Sequence, residues 1–290
     1  MKLEKIELKH RIHIERIRSK YGHQSSSHAF ASLFLWQEEL GLELYLTSDM
    51  FAARCKRRGE NCWLFPCGAP EEIKEFLIHQ LNTAKEPLRL CYMRAEDAEM
   101  LNRELPERFS LVAVPEDDEY LYDREQQILL KGKEFRHQRN SLNRLKKKHE
   151  LVTENITPEN LDKVAFVFER ARENRKENAA ALSTLSTERL VLENWDNLNM
   201  NGVIVYADGM PCAIAAGYMI SDNTYDVSVC FQAIGDSDAS VYARYQLFSR
   251  LPKEVTLINA EEDLGLEGLR ILKQGMQPVG LLTMFEGVSR

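Results

Sequence analysis

The sequence predicts an α/β protein of two modules, each with a mixed central sheet flanked by helices. Three observations lead to this prediction. Short apolar runs bounded by turn residues alternate with longer stretches of helical periodicity. The same order of elements occurs in both halves of the 290 residues. The hydrophobic fraction of 44% supports a packed core and excludes a disordered chain.

In the first half, two helices precede a series of strands. Ile6, Ile14 and Ile17 fall on one helical face, and Pro70 starts a later helix with two glutamates behind it. Helices are predicted at residues 5–20, 29–40, 70–84 and 95–105. Strands are predicted at residues 42–46, 50–55, 62–66, 88–93, 109–114 and 120–122. The order is therefore α-α-β-β-β-α-β-α-β-β.

A charged helical connection over residues 123–150 leads to the second half, which shares with the first the order of three consecutive strands followed by helix, strand, helix and strand. Thr157 with Pro158 behind it indicates a helix start, and Asp208-Gly209 indicates a hairpin turn. Helices are predicted at residues 157–175, 187–198, 239–250 and 264–273. Strands are predicted at residues 151–155, 203–206, 211–220, 225–231, 255–259 and 279–285. We therefore predict domains at residues 1–130 and 131–290, the second entered by a basic helix at 133–149.

The composition excludes several classes of protein. With 38 Lys+Arg against 45 Asp+Glu, the formal charge is −7, so any phosphate binding needs a local patch. None of the six cysteines forms a C-x-x-C pair and the seven histidines lack zinc spacing, so we expect core cysteines and no metal. The chain has no signal peptide and no apolar run near the ~18 residues of a membrane span, which predicts a cytoplasmic protein without a stable membrane anchor. Hydrolase, NTPase and dinucleotide-oxidoreductase motifs are also missing.

A positively charged stretch lies in the connection between the halves. Residues 131–149 hold eight Lys/Arg and a single acid, Glu134. Such a stretch can hold anions, namely RNA phosphates, a cofactor 3′-phosphate or acidic lipid headgroups. The alternative is a solvated helix between domains, and the sequence does not decide between the two.

A second candidate anion site follows the predicted strand 225–231. Gln232 and Gly235 fit the Gln/Arg-x-x-Gly-x-Gly/Ala pattern of a phosphate-binding loop at a helix start, and Ser237 at the last position is small but is neither Gly nor Ala. Asp236 and Asp238 would repel a pyrophosphate. A plain turn before a helix is therefore an open alternative.

A carboxylate cluster follows the predicted strand 255–259. Glu261, Glu262 and Asp263 come directly after the strand, and ligands bind at such strand ends in open α/β sheets. Carboxylates there can bind an amine or deprotonate it. The alternative is that Asp263 caps the next helix, while the negative charges of the two glutamates interact favourably with the dipole of that helix.

Two of these segments together resemble a known family. Residues 131–144 resemble its K-G-K-x-F-x-x-x-R-N-x-x-N stretch, and residues 259–273, followed by Pro278, resemble its N-x-E-x-D-x-G-x-x-G-L-R-x-x-K signature. The family is the phosphatidylglycerol lysyltransferase C-terminal-like family, formerly one of unknown function. The resemblance covers nearly the whole chain, including residues 27–36. It implies two GNAT-like (acyl-CoA N-acyltransferase) modules in tandem, the fold that the order of elements also indicates.

The resemblance implies transfer of an acyl or aminoacyl group from acyl-CoA or aminoacyl-tRNA to an amine or hydroxyl. The acceptor would be a small molecule or a lipid headgroup, since membrane relatives move lysine from tRNA to a lipid and the Fem-type transferases are similar in architecture. Glu261 or Asp263 is predicted as the general base. The residues predicted to bind the donor or its phosphates are Arg136, Arg139, Asn140, Asn143, Arg144, Gln232, Gly235, Ser237, Asn259, Arg270 and Lys273.

The chain also departs from the family pattern. Cys230, Gln232 and Ala233 replace a His-x-Glu-Lys tendency, and Gly275 stands where Ser is usual. Two alternatives therefore stay open: a non-catalytic GNAT-like binding module, and an RNA- or tRNA-binding protein that uses the basic helix. The sequence does not predict the oligomeric state.

Overall fold

The computed structural model describes residues 2–174 and 185–290. Its helices are α1 (Arg11–Lys20), α2 (Phe30–Trp36), α3 (Pro70–Thr83), α4 (Ala95–Glu104), α5 (Arg124–Leu129), α6 (Arg136–Lys148), α7 (Leu161–Asn174), α8 (Leu185–Asn194), α9 (Asp238–Arg250) and α10 (Glu267–Gly275). Its strands are β1 (Glu43–Leu46), β2 (Met50–Arg57), β3 (Glu60–Leu64), β4 (Cys67–Gly68), β5 (Arg89–Arg94), β6 (Phe109–Ala113), β7 (Glu119–Asp123), β8 (Leu151–Asn155), β9 (Asn201–Ala207), β10 (Met210–Met219), β11 (Thr224–Gln232), β12 (Leu257–Asn259), β13 (Gly280–Leu282) and β14 (Met284–Ser289). The predicted fold class, two mixed sheets flanked by helices, is confirmed.

The chain divides into two compact units whose segments alternate along the sequence. Unit 1 comprises Met1–Glu119, Glu262–Leu269 and Leu281–Arg290, and unit 2 comprises Tyr120–Glu261 and Arg270–Gly280. The first changeover lies at residues 119–120, and β14 returns to unit 1. The predicted boundary at residues 130–131 stays a prediction of where the tandem modules meet in sequence.

The sheet of unit 1 has the order β1-β2-β3-β5-β14-β6, with the short β4 paired to β2. Only β3 and β5 run parallel among its neighbouring pairs, because α3 crosses over between them. Trp63, Phe76 and Leu90 belong to the apolar core on one face of this sheet. The pairing of β14 with both β5 and β6 was not predicted from the sequence.

The sheet of unit 2 contains the path β7-β12-β11-β10-β9-β8. Its β9–β10 hairpin turns at Asp208 and Gly209, both with positive φ, as the sequence predicts. The parallel pair is β11–β12, with α9 as the crossover. The core under α6 and α9 includes Leu145 and Phe248.

The predicted helical connection over residues 123–150 is two helices rather than one. Helix α5 ends at Leu129, the next residue Leu130 has φ +47°, and Gly132 follows with φ +91°. These left-handed residues turn the chain, so α6 begins only at Arg136. The Thr157 start is confirmed by a reciprocal capping box with Asn160. The predicted helix end at residue 175 lies outside the described residues.

Candidate functional site in unit 2

The two parallel strands of unit 2 separate after a short stretch of pairing. Thr224 to Asp226 of β11 pair with Leu257 to Asn259 of β12, and β12 then ends. Strand β11 continues to Gln232. Over residues 227–232, β11 therefore has no strand partner on this side among the described residues, and this unpaired stretch beside the end of β12 is called the gap below. An unpaired strand edge of this kind can hydrogen-bond an extended ligand as an added strand would.

A β-bulge marks the place where the strands separate. Ala216 pairs with Val229 while Tyr218 pairs with Asp226, so β11 has one more residue than β10 in this interval. At Gly217 an added Cβ would lie 1.7 Å from the carbonyl oxygen of Asp226. Glycine is therefore required for the two strands to approach this closely.

Replacing Gly217 by Ala should displace β11 at the start of the gap. We expect a loss of about 3 kcal/mol in the free energy of unfolding, because the clash is with backbone that cannot move aside alone. Urea unfolding of Gly217→Ala measures this loss. Gly235→Ala is the matched control, since its added Cβ meets nothing within 4 Å. Equal stabilities of the two variants would contradict the proposed close approach.

Three polar side chains at the separation were missed by the sequence analysis. Asp226 is completely buried, although it is the one charged residue of β11. Burial raises the pKa of the neighbouring Tyr225 phenol, and the Asp226 charge raises it further. The Ser228 hydroxyl is buried and has no hydrogen-bond partner in the part of the chain that the structure describes. An aspartate among the alternating apolar and polar residues of a predicted strand was the available signal.

The predicted phosphate loop already holds carboxylates at the start of α9. Gln232 is half-buried, while Gly235 and Ser237 are exposed. The buried Asp238 accepts two hydrogen bonds from the Arg144 guanidinium, at 2.8 and 2.6 Å. Burial raises the pKa of Asp238, but the hydrogen bonds from Arg144 and Ser141 outweigh burial, so the pKa is lowered overall.

The second carboxylate of the loop is also paired. Asp236 contacts Lys148 at 2.6 Å, and its pKa is lowered by that bond. Asp236 also accepts the Asp238 N–H at 3.0 Å, and so takes up a donor that a bound phosphate could use. The N-terminus of α9 therefore carries its own anions, each with a basic partner on α6.

The residues predicted as donor-binding on the basic helix α6 differ in their surroundings, since one holds a turn and others face the solvent. Arg139 donates hydrogen bonds to the carbonyl oxygens of Leu130 and Gly132, so it holds the turn before the helix. Arg136, Asn140 and Asn143 are exposed. Their spacing places them on one face of the helix, which Lys147 extends by a further turn. This solvent-facing set (Arg136, Asn140, Asn143 and Lys147) is called the α6 stripe below.

Residues of the 259–273 signature form and hold the turn after β12. Asn259 is completely buried, and its Oδ1 accepts the backbone N–H of Glu261 at 2.8 Å. Glu261 has φ +58°, a left-handed conformation that the asparagine stabilises. Lys273 is also buried and donates from Nζ to the Ala260 carbonyl oxygen at 2.5 Å. Asn259 and Lys273 therefore fix the turn that presents Glu261, and Arg270 is half-buried on α10.

Asp263 lies in unit 1 and is completely buried. Its Oδ1 accepts the Gly265 N–H at 2.9 Å, and Leu264 between them has φ +55°. Helix α10 begins only at Glu267, so Asp263 caps a turn and not the helix, which corrects the capping interpretation. The turn is held further because Leu264 donates its N–H to the Glu116 carbonyl oxygen at 3.1 Å.

Comparisons with known proteins agree with this architecture. A conserved protein of unknown function from Bacteroides thetaiotaomicron superposes with a TM-score of 0.90 at 23% identity over 99% of both chains. L-PGS from Bacillus licheniformis gives 0.69 at 14% identity, over 99% of this chain and 93% of that one. FemX gives 0.59 at 9% identity, over 99% and 97%. No curated protein matches the sequence.

Residues 18–283 match the family model described as "Phosphatidylglycerol lysyltransferase, C-terminal". The match and the structural neighbours support an acyl- or aminoacyl-transferase kind of protein. Within residues 2–174 and 185–290, no helix combines the length and apolar character needed to cross a membrane. On the extent of this match, the chain belongs to the phosphatidylglycerol lysyltransferase C-terminal family.

Proposed function

We propose that the chain transfers an aminoacyl group from a charged tRNA to a hydroxyl or amine acceptor, in the gap between β11 and β12. The observation that carries this proposal is the continuation of β11 over residues 227–232 after its last pair with β12. The peptide groups of that stretch can hydrogen-bond an extended donor chain as an added strand would. The family name supports a lysyl group as the transferred group and a lipid headgroup as the acceptor.

The charges around the gap favour tRNA over acyl-CoA as the donor. A CoA pyrophosphate would sit at the N-terminus of α9, where Asp236 and Asp238 already lie. The α6 stripe instead offers Arg136 and Lys147, for which the described residues contain no salt-bridge partner. Exposed cations on a helix surface suit the phosphates of a nucleic-acid backbone.

The transfer itself needs one base and no redox partner. The acceptor oxygen or nitrogen attacks the carbonyl carbon of the aminoacyl ester, and the ester C–O bond to the ribose breaks. Glu261 takes the proton of the acceptor and returns it to the departing ribose oxygen. We assign this role to Glu261 rather than Asp263, because Asp263 is completely buried and its Oδ1 accepts the Gly265 N–H.

The experiment measures movement of a radiolabelled lysyl group from lysyl-tRNA to phosphatidylglycerol vesicles or to a soluble amine. We expect transfer by the intact chain and a fall of about 10²- to 10⁴-fold in rate for Glu261→Gln, with an unchanged melting temperature. Glu254→Gln, at an exposed glutamate of the same unit, is the control. A rate for Glu261→Gln equal to that of the control would remove Glu261 from the mechanism.

Donor binding is tested separately by titrating tRNA at several salt concentrations. Arg136→Ala and Lys147→Ala should each reduce the slope of log affinity against log salt by about 0.7 to 0.9, the value of one phosphate contact. Lys253→Ala, at an exposed lysine away from α6, should leave the slope unchanged. Binding of acetyl-CoA without tRNA binding would favour the acyl-CoA donor. Salt-sensitive tRNA binding without transfer would favour the RNA-binding alternative, and binding of neither would favour a non-catalytic module.

A further inference from the structure

Three cysteine side chains of unit 1 converge at one point in its sheet. The Sγ atom of Cys55 lies 2.9 Å from that of Cys62 and 3.8 Å from that of Cys91. The Cys62 and Cys91 sulfur atoms are 3.6 Å apart. All three residues are at most 4% exposed. They form the one group of potential metal ligands that the described residues contain.

Strand register produces this convergence. Cys55 of β2 lies directly opposite Cys62 of β3. Leu64 lies opposite Cys91 of β5, and Cys62 shares a face with Leu64 because they are two residues apart. Three neighbouring strands therefore present their sulfur atoms on one face. A site on rigid strands pays little conformational entropy when a ligand binds.

The geometry fits a three-coordinate soft ion. Three sulfur atoms about 2.3 Å from one ion lie about 4 Å apart in a trigonal arrangement. Two of the three distances, 3.8 and 3.6 Å, are already close to this value, so only Cys55 and Cys62 must move apart. Thiolates select soft ions, and a structural zinc site normally has four ligands. Among the described residues the group has three sulfur ligands and no fourth residue, which favours monovalent copper.

An entry path and compensating charge lie beside the cluster. A cavity of about 140 Å³ is lined by Cys62 and Cys91, by three cations (Arg57, Arg58 and Arg89) and by two carboxylates (Glu60 and Glu286). Three thiolates around one monovalent cation leave a net negative charge, which nearby guanidinium groups offset. Arg57 is held in place by Asp117 at 2.6 Å and Glu286 at 2.9 Å.

We propose that Cys55, Cys62 and Cys91 form a binding site for one monovalent copper ion. Binding converts the thiols to thiolates and releases their protons, with no change in oxidation state. The site departs from the sequence-based expectation of no metal. It does not depend on the transfer reaction proposed for unit 2.

The test is an anaerobic titration of the reduced full chain with Cu(I) held by a competing chelator. We expect one ion per chain, ultraviolet sulfur-to-copper charge-transfer absorption, and a melting temperature that rises with free Cu(I). Cys62→Ala and Cys91→Ala should each weaken binding by roughly a hundredfold or more. Cys212→Ala, at a completely buried cysteine outside the group, should bind as the parent does.

Three results would overturn the proposal. The first is no absorption and no rise in melting temperature in the parent protein, a measurement that needs no variant to fold. The second is equal binding by the parent and by both ligand variants. The third is one Zn(II) per chain in a parallel titration that shows no Cu(I) uptake. A Cys55–Cys62 disulfide found by mass spectrometry in the reduced, copper-treated chain would overturn the proposal in the same way as the first result.

Discussion

Replacing Glu119 by Ala should lower the free energy of unfolding by about 4 kcal/mol and the melting temperature by roughly 10 °C. The Glu119 carboxylate is 1% exposed and accepts hydrogen bonds from Ser25 Oγ, Ser26 Oγ and the Ser26 N–H, at 2.9 to 3.0 Å. Hydrogen bonds to an ionised carboxylate are stronger than neutral ones, and the substitution leaves several buried donors without an acceptor. Calorimetry and urea unfolding both measure the loss.

Two further variants separate the hydrogen bonds from the charge. Glu119→Gln keeps the shape and one acceptor oxygen, so it should lose less stability than Glu119→Ala. Glu75→Ala, at an exposed position of α3, should change the free energy of unfolding by no more than about 0.5 kcal/mol. A Glu119→Ala protein as stable as the Glu75→Ala control would show that the serine segment is not held by this carboxylate.

Acidification from about pH 6.5 should destabilise the protein through two buried imidazole rings. His23 and His28 are 4% and 1% exposed, and their ring centroids are 4.1 Å apart. Burial lowers the pKa of His28 to about 3 and lowers the pKa of His23 well below its ordinary value. His28 Nε2 lies 2.7 Å from the Phe65 carbonyl oxygen, so the neutral ring donates there.

The direction of this pH dependence follows from proton uptake by the two rings. Below pH 6.5 the unfolded chain binds a proton at each ring and the folded chain does not until pH falls towards the folded pKa values. Stability is therefore fully present above about pH 6.5, and it is lost as pH falls, by up to about 1.4 kcal/mol per pH unit for each ring. Urea unfolding between pH 7 and pH 5, above most carboxylate titration, measures this slope.

A His28→Gln variant tests the assignment. Its amide can still donate to the Phe65 carbonyl oxygen, but it takes up no proton, so the slope should fall by about one ring's share. His79→Gln, at an exposed histidine of α3, is the control and should keep the slope of the parent. Parallel pH profiles for the parent and His28→Gln would contradict the role of the buried rings.

Periodicity predicted the elements well because each helix or strand has an apolar face that its own residues encode. The hairpin at Asp208 and the helix start at Thr157 were predicted from local turn and capping chemistry, and both are confirmed. The break between α5 and α6 was missed because Leu130 adopts a left-handed conformation that its residue type does not indicate. The sheet partners of β14 were missed because an apolar strand carries no mark of which neighbours it joins.

Site residues were predicted only where a motif marked them. The signature over residues 259–273 identified Asn259, Glu261 and Lys273, but not that Asn259 and Lys273 build the turn beneath Glu261. The sulfur cluster was not predicted because its three members follow no metal-binding spacing and meet only through strand register. Whether the α6 stripe and Glu261 act in transfer stays a prediction until the transfer assay is made.

The place of β14 has a consequence for synthesis on the ribosome. Strands β5 and β6 are joined in their sheet only through β14, which follows the whole of Tyr120–Glu261 in the sequence. Until β14 is synthesised, the edges of β5 and β6 that it will join have unpaired backbone groups, which can form non-native pairs with other strands. Unit 1 cannot complete its sheet before residues 284–289 leave the exit tunnel, so the last step of its folding follows the synthesis of Tyr120–Glu261 and is slowed by long-range pairing.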